Sequence, residues 1–298
     1  ILERKQFDKW MAKRAARAGA DVYSHTKITG LLENNKGVKG IRDGEEFEEE
    51  SEMVVAADGV ESLVAIEAGI KQPSNIKLVD SGFQYEMTDL DLEHPEKIVL
   101  YLGNDIAPRG YVWIFPKGDD TANVGIGILG DEEKTAKHYL DRFIEDRPEL
   151  NKGSIIEVNS GGIPVGGFLD DMTEDNCLAV GDAANQVNPI HGGGMAESIK
   201  ASRIAGDVIT DAIEEGDTSK QNLQDYNERW WKERGKSLRK VEKVREVMEN
   251  LSDDDLNFLA KELEGDDLTS LSHGNALKKL GRILLKRPSL VKLGRKLI

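Results

Sequence analysis

The segment 177–184 joins a short apolar stretch to an acidic group. Residues 177–180 predict a buried strand, which ends at Gly181 and Asp182. Open α/β sheets bind ligands beyond the carboxyl ends of their strands, so Asp182 is well placed to accept hydrogen bonds from a hydroxylated chain. The two alanines that follow allow a backbone or a ligand to approach closely. The alternative is an aspartate that only completes a turn or caps a helix.

Three consecutive glycines follow this strand and precede a helix. Gly192, Gly193 and Gly194 end a loop, and the pattern from Met195 to about Ala212 predicts the helix. The free N–H groups at a helix start, together with the helix dipole, favour negative charge. With the acidic group at the strand end, this arrangement favours a ligand that has a sugar-like chain, a phosphate and an electron-rich ring.

An aromatic stripe occupies the segment 108–116, whose sequence is PRGYVWIFP. Side chains alternate across a strand, so Tyr111, Trp113 and Phe115 share one face. Such a face offers rigid apolar contact area with few polar demands, which suits a long apolar chain. The alternative is an aromatic stripe that simply packs in the core of a sheet.

The segment 125–130 matches the pattern G-x-G-x-x-G, yet we interpret it as a strand and not as a phosphate loop. Its glycines alternate with Val124, Ile126 and Ile128, as expected for a strand with one face kept small. The acidic run 131–133 also places three carboxylates where a pyrophosphate would sit. The small residues from Asn123 to Gly127 are expected to leave room for a ligand.

The elements that surround these groups belong to an α/β unit. Residues 6–18 predict a helix, 21–32 and 38–41 predict strands joined by a turn, and 52–57 predict a short buried strand that ends at Asp58 and Gly59. The acidic residues 45–50 are expected to be solvated. Short strands at 82–87, 97–102, 111–115 and 122–129, with a helix over about 132–146, predict an antiparallel sheet inserted into this unit.

These patterns predict four segments. Residues 1–73 and 171–217 form the α/β domain, residues 74–170 form the antiparallel-sheet domain, and residues 218–298 are charged and helical. There is no internal repeat, and no metal-ligand spacing or nucleophile-plus-base arrangement is apparent. We therefore expect no metal site.

Composition excludes several classes of protein. The 298 residues are 39% hydrophobic and 32% charged, with a net charge of −15, which is a folded and acidic composition. No apolar run approaches the ~20 residues of a membrane-spanning helix. The negative balance argues against nucleic acid as a partner. The single cysteine, Cys177, excludes an internal disulfide framework and fits a reducing cytoplasm.

The motifs at both ends of the α/β unit resemble those of the flavoproteins related to p-hydroxybenzoate hydroxylase. Residues 181–184 with the glycine-rich helix start resemble the second FAD motif of that superfamily, and Asp58-Gly59 resembles its middle motif. The resemblance implies that FAD is bound by Asp182 at the ribityl chain and by the helix start at the phosphates. It implies further FAD contacts from Arg4 in the segment ERKQFD and from the strand that carries Lys27 and Ile28. The set implied is Arg4, Lys27, Ile28, Asp58, Gly181, Asp182, Gly193, Gly194 and Met195.

The segment 108–116 fits P-x-x-Y-x-W-x-F-P in every specified position and resembles the substrate-side signature of the archaeal geranylgeranyl reductases. This resemblance implies that the substrate is bound by Pro108, Tyr111, Trp113, Phe115 and Pro116. It implies FAD-dependent reduction of isoprenoid double bonds in geranylgeranylated glycerophospholipids, a step of archaeal membrane lipid (archaeol) biosynthesis. The electron donor is reduced ferredoxin or NADPH, which the sequence does not distinguish. For the proton, the candidates are His191 and Tyr111. The alternatives are a flavin-dependent monooxygenase or halogenase, or a non-catalytic lipid-binding remnant.

The family's first βαβ unit, with its own G-x-G-x-x-G loop, has no counterpart in the sequence, which starts at Ile1. We therefore expect an FAD-binding Rossmann-like domain that is truncated at its N-terminus. We expect residues 1–298 alone to be inactive and not to retain FAD. Stoichiometric flavin after gel filtration would refute this expectation.

The last 24 residues differ in charge from the rest of the chain. They contain eight Lys or Arg and no acid, so residues 1–274 carry −23 and the segment 275–298 carries +8. Leu277, Leu280 and Leu284 share one helical face with basic residues around it. Such a helix either rests on anionic lipid or docks on the acidic body of the protein. The first alternative predicts a cytoplasmic protein that is peripheral at the inner face of the cell membrane.

Overall fold

The computed structural model describes residues 1–130 and 132–297 and has the expected mixed architecture. An α/β part, a large antiparallel sheet and a set of C-terminal helices follow one another as predicted. Asp131, one of the three carboxylates in the acidic run 131–133, lies outside the described residues, as does Ile298. The limits of the four segments remain a prediction.

The strands are short in the α/β part and longer in the antiparallel sheet. They are β1 (Thr26–Leu31), β2 (Gly37–Arg42), β3 (Glu45–Glu50), β4 (Val54–Ala56), β5 (Val79–Thr88), β6 (Val99–Gly103), β7 (Ala107–Pro116), β8 (Ala122–Leu129), β9 (Ser154–Pro164), β10 (Thr173–Glu174) and β11 (Cys177–Ala179).

The helices dominate the last hundred residues. They are α1 (Arg4–Arg17), α2 (Leu63–Glu67), α3 (Ala136–Glu145), α4 (Pro148–Asn151), α5 (Met195–Glu215), α6 (Lys220–Trp230), α7 (Lys236–Met248), α8 (Asp253–Glu262), α9 (Gly265–Ser272), α10 (Leu277–Leu284) and α11 (Val291–Arg295). A π-helical turn, Trp231–Gly235, joins α6 to α7.

The strands form three sheets. β1, β2 and β3 make an antiparallel meander, and β4 lies parallel to β11, with β10 at the other edge of β11. The third sheet is antiparallel, in the order β6-β7-β8-β5-β9. The parallel pair aligns the carboxyl ends of β4 and β11, so the segments that follow them, at Asp58 and Gly181, leave the same edge of the sheet.

The five-stranded sheet has one packed face and one open face. Val112, Val124 and Ile126 are fully buried in a core that also holds α3. The opposite face carries Trp113 and glycines of β8, and only part of it is covered. The alternation of β7 therefore directs its aliphatic residues to the core and its aromatic residues to the open face.

The strand interpretation of 125–130 is confirmed, since residues 122–129 form β8 in the middle of this sheet.

Two strands differ from the expectation. Residues 45–50 form β3, whose acidic side chains stay largely exposed while its backbone pairs with β2. β9 was not individually predicted, because its segment SIIEVNSGG lacks clear alternation. The helix expected from 132 begins at Ala136, where Thr135 caps it.

The C-terminal helices form a core of their own. Leu280 and Leu284 are almost fully buried, and they pack with residues of α7 and α8 such as Val244 and Leu259. Lys279 forms an ion pair with Asp267. Of the two alternatives for the segment 275–298, the structure contains the helix docked on the acidic body. Its leucine face is therefore not the surface that meets lipid.

Candidate functional site

The end of β11 presents an acidic side chain that accepts no hydrogen bond from residues 1–130 or 132–297. Gly181 adopts φ +64°, a conformation that favours glycine, and its N–H donates to Oε1 of Gln186 at 2.7 Å. This turn directs the half-buried carboxylate of Asp182 towards the start of α5. Among the described residues nothing donates a hydrogen bond to that carboxylate, so it is available to hydroxyl groups of a ligand.

The start of α5 lies directly beside Asp182. A Cβ atom at Gly194 would be 2.8 Å from Oδ1 of Asp182, so glycine is needed for this close approach. No described side chain caps the first turn of α5, which leaves its N–H groups open to an anionic ligand. Burial raises the pKa of Asp182, and the charges of Lys71 and Arg4 oppose that rise.

Lys71 is a candidate site residue that the sequence did not reveal. Its side chain is buried, and its Nζ donates to the carbonyl of Val60 and to Oδ1 of Asn185, both at 2.8 Å. Burial lowers the pKa of Lys71, while Asp182 and Asp58 stabilise its charge. A single lysine after a short helix belongs to no recognisable motif, so only the fold brings this cation to the two strand ends.

The other FAD contacts that the resemblance implies lie on three different elements of the structure. Asp58 accepts hydrogen bonds from Ser62 Oγ and from the Val64 N–H, so both its oxygens already serve the start of α2. Arg4 forms an exposed ion pair with Asp8 yet lies within electrostatic range of Asp182. Lys27 and Ile28 lie on β1, in the meander.

The first turn of α1 is held against the five-stranded sheet by ion pairs. Glu3 pairs with Lys117, which also pairs with Glu86 of β5, and Lys5 pairs with Glu157 of β9. These contacts flank Arg4 on both sides. The start of α1, where Arg4 lies, is therefore set against the open face of the sheet.

The predicted aromatic wall is present on that open face. The ring centroids of Tyr111 and Trp113 lie 5.7 Å apart, and those of Trp113 and Phe115 lie 5.9 Å apart. The indole Nε1 of Trp113 donates to Oε1 of Gln84 at 3.0 Å. The small residue Gly125 makes room for this indole and not for a ligand, which corrects the expectation for that position.

A row of glycines crosses the sheet beside this wall. In the strand register, Tyr111 pairs with Gly127, Gly127 with Gly82, and Gly82 with Gly161. Residues that pair directly project on the same face, so the floor next to Tyr111 is formed by backbone over three strands, and the side chain of Ile163 lies close to it at Gly82. This floor continues the aromatic wall and gives an elongated apolar ligand a place to lie flat.

The two proton-donor candidates from the sequence are bonded to the backbone and to each other. The hydroxyl of Tyr111 donates to the carbonyl of His191 at 2.8 Å, and Nδ1 of His191 accepts the N–H of Gly193 at 3.1 Å. Burial raises the pKa of Tyr111 to about 12, and partial desolvation lowers the pKa of His191. At neutral pH both are therefore uncharged, and they join the open face to the loop before α5.

Asp80 is a second candidate site residue that the sequence did not reveal. It precedes Gly82 by two positions on β5, so its side chain projects from the open face, one row from Tyr111. No described residue forms a hydrogen bond with its carboxyl group. Burial raises its pKa to about 7, against the opposing charges of Arg245 and Arg109. Its segment, VDSGFQ, reads as an ordinary strand start, so its environment could not be foreseen.

The fit between Trp113 and Gly125 gives a first testable prediction. A Cβ atom at Gly125 would lie 2.7 Å from the indole Nε1, so Gly125→Ala must displace the ring and break its bond to Gln84. We expect a loss of about 1–3 kcal/mol in the free energy of unfolding, measured by urea denaturation. Gly161→Ala is the control, because nothing lies within 4 Å of its new methyl group. Equal stability of the two variants would contradict the prediction.

Comparisons with known proteins agree on the family. Residues 79–163 match the geranylgeranyl reductase catalytic domain. The chain is 41% identical over 298 residues to digeranylgeranylglycerophospholipid reductase 2 of Methanosphaera stadtmanae, covering 99% of this chain and 75% of that protein. A geranylgeranyl bacteriochlorophyll reductase-like protein from Thermoplasma acidophilum is 34% identical, with a TM-score of 0.85 over 100% of this chain and 76% of that one. A flavin-dependent brominase shares the fold at 15% identity, with a TM-score of 0.71 over 92% of this chain and 70% of its own.

Proposed function

Because the chain belongs to the family of the digeranylgeranylglycerophospholipid reductases, we propose that it reduces isoprenoid double bonds of geranylgeranylated glycerophospholipids in an FAD-dependent reaction. This is a step in the biosynthesis of archaeal membrane lipid. The observation that carries the proposal is the aromatic wall of β7 beside a floor of glycines. A rigid apolar surface suits a flexible polyprenyl chain, since contact is gained without burying unpaired polar groups.

The residues at the ends of β4 and β11 fit FAD. Asp182 has a free carboxylate for ribityl hydroxyls, and the uncapped start of α5, at Gly194 and Met195, offers N–H groups to a phosphate. Gly193 remains a proposed contact, although its N–H already donates to Nδ1 of His191. Arg4 and Lys71 add positive charge near the same point. When bound, FAD supplies the hydride for one carbon of the double bond. The remaining proposed contacts are Asp58, Gly181, Lys27 and Ile28. Of these, Asp58 acts through the start of α2.

The protein must supply a proton for the other carbon, and Asp80 is the best-placed group. Its carboxyl group has no competing hydrogen bond within the described part of the chain, projects from the face that carries Tyr111, and holds a proton near neutral pH. Tyr111 and His191 are less suited, because the phenol already donates to a carbonyl and the imidazole has one nitrogen occupied. We propose that these two residues instead hold the loop before α5 against the aromatic wall.

The substrate contacts are those of β7. Tyr111, Trp113 and Phe115 form the wall, and Pro108 and Pro116 bound the strand segment that carries it. No helix in the described parts of the chain is long and apolar enough to cross a bilayer. We place the protein in the cytoplasm, peripheral at the membrane, with contact through basic side chains of the segment 275–298. Reduced ferredoxin and NADPH both remain candidates for the electron donor.

Product analysis tests the proposed function. The FAD-loaded holoenzyme, with digeranylgeranylglycerophospholipid and a chemical reductant such as dithionite, is expected to give products heavier by about 2 Da for each saturated double bond, because each step adds one hydride and one proton. Mass spectrometry of the lipid measures this. Added oxygen or halogen would instead identify a monooxygenase or halogenase, and an unchanged lipid would support a non-catalytic binding protein.

A further inference from the structure

Helix α7 separates the candidate site from a basic outer surface. On its inner side, Glu242 accepts the N–H of Gly167 at 3.0 Å, and the buried Arg245 lies close to Gly166 and within electrostatic range of Asp80. Residues at 3.6 per turn place Lys236, Lys240 and Lys243 on the side opposite Arg245. One face of α7 therefore closes the site while the other faces solvent.

The outer side of α7 carries cations that the protein does not neutralise. Lys236, Lys240 and Lys243 are exposed and form no ion pair within residues 1–130 and 132–297. They line an open groove of about 450 Å³ together with Trp231 and Arg239. Arg239 stacks on the indole of Trp231 at 4.3 Å and pairs with Asp170, the one acidic residue in the described lining.

This arrangement is unfavourable for the isolated protein. Like charges spaced three or four residues apart on a helix repel one another, and among the described residues no acid forms an ion pair with these three lysines, although Glu246 follows Lys243 by one turn. This concentration of cations stands out in a chain whose net charge is −15. A surface of this kind is stabilised when an anionic partner covers it.

The same surface continues into the basic C-terminal segment. The hydroxyl of Ser237 donates to the carbonyl of His273 at 2.6 Å, and Gly274 lies against Ser237 and against Cβ of Lys240. Helix α10, with the exposed Lys278 and Arg282, begins three residues after Gly274. The segment that leads into α10 is thereby in contact with the side of α7 that carries Lys240.

We propose that the outer face of α7, together with the start of α10, is the surface by which the protein binds the anionic headgroups of a lipid bilayer. The inference rests on the proposed function, because a lipid-modifying enzyme must meet its substrate at a membrane. Each lysine near an anionic bilayer contributes about 1 kcal/mol, so three of them supply a substantial part of the binding. The acidic remainder of the protein would be repelled, which orients α7 towards the lipid.

Vesicle sedimentation tests this surface. The holoenzyme is expected to bind vesicles of phosphatidylglycerol and phosphatidylcholine but not vesicles of phosphatidylcholine alone, and to dissociate at 0.5 M salt. The triple variant K236Q/K240Q/K243Q is expected to bind the anionic vesicles about 100-fold more weakly. The control K97Q/K134Q/K152Q removes the same charge from exposed lysines of the sheet domain and is expected to bind like the parent.

The activity on detergent-dispersed substrate distinguishes this inference from the proposed function. We expect the α7 variant to keep full reduction of dispersed lipid, since none of its three lysines lies in the candidate site. Equal vesicle binding of the α7 variant and the parent would overturn the inference, even with reductase activity intact. The inference would also be overturned if the α7 variant bound vesicles like the parent but no longer bound an acidic protein that the parent binds. That result would assign the surface to the acidic protein.

Discussion

Asp80→Asn is expected to slow the reduction of the double bond by at least 100-fold while the flavin content of the holoenzyme stays unchanged. The amide has nearly the shape of the carboxyl group but cannot release a proton, and positioned acids contribute about 10²–10⁴-fold to rates. Single-turnover oxidation of the reduced holoenzyme by lipid measures the effect. Asp80→Glu is expected to recover part of the rate, and Glu145→Gln, at an exposed position of α3, serves as the charge-matched control.

A stability measurement tests the same residue without activity. Burial raises the pKa of Asp80 to about 7 from its ordinary 3.8, so the folded protein holds this proton more tightly than the unfolded chain. The resulting stabilisation is complete below about pH 4 and is lost as the pH rises through 7. It amounts to about 4 kcal/mol at most. The parent should lose more stability than Asp80→Asn between pH 4 and pH 8, as followed by denaturant titration.

Two outcomes would remove Asp80 from the reaction. A rate within 3-fold of the parent would show that another group delivers the proton, and Tyr111→Phe and His191→Gln would then be the next variants to measure. A parallel pH dependence of stability in parent and Asp80→Asn would show that the carboxyl group is ionised and solvated in the folded protein.

Asp182→Ala is expected to weaken FAD binding by about 10- to 100-fold. The free carboxylate at the start of α5 offers charge-assisted hydrogen bonds, which contribute about 1.5–3 kcal/mol each, and the methyl group of alanine replaces none of them. Flavin fluorescence during dialysis of the holoenzyme measures the change. Asp207→Ala removes a charge from an exposed position of the same helix and should retain flavin.

Retention of flavin by Asp182→Ala at the level of the parent would contradict this assignment. It would indicate that Lys71 and the backbone N–H groups from Gly194 onward contribute most of the FAD binding. Unfolding is a separate possibility for any variant at a strand end, so the far-ultraviolet circular dichroism of both variants is compared first. Removal of Asp182 leaves no unpaired donor behind, since no described group donates to it.

Much of the site was predictable because its signals are local in sequence. The strand-to-helix segment around Asp182 needs only a short apolar run and glycines that tolerate close approach. The face shared by Tyr111 and Trp113 follows from the twofold alternation of any strand. The distinction between a core stripe and an exposed wall was not local, since it depends on α3 covering the opposite face of the sheet.

Lys71 and Asp80 could not be foreseen for the same physical reason. Each is an ordinary residue in its own segment, and its importance comes from groups distant in sequence, such as Asn185 for the lysine and Arg245 for the aspartate. The packing of the C-terminal leucines likewise depends on groups that are distant in sequence. Amphipathicity showed that Leu280 and Leu284 would be covered, but their partners on α7 and α8 are set by tertiary packing.

The confinement of Trp113 has an optical consequence. Its indole is fixed by Gln84, lies over the backbone of β8 and is flanked by two other rings, so its emission reports on the wall itself. The other three tryptophans are Trp230, which is fully buried, Trp231, which is half-buried, and Trp10, which is exposed, so the difference between the spectra of the parent and Trp113→Phe isolates the emission of Trp113. A polyprenyl chain laid on the glycine floor would replace water at the open side of this ring and shift its emission to shorter wavelength. The protein thus carries its own fluorescent probe for substrate occupancy.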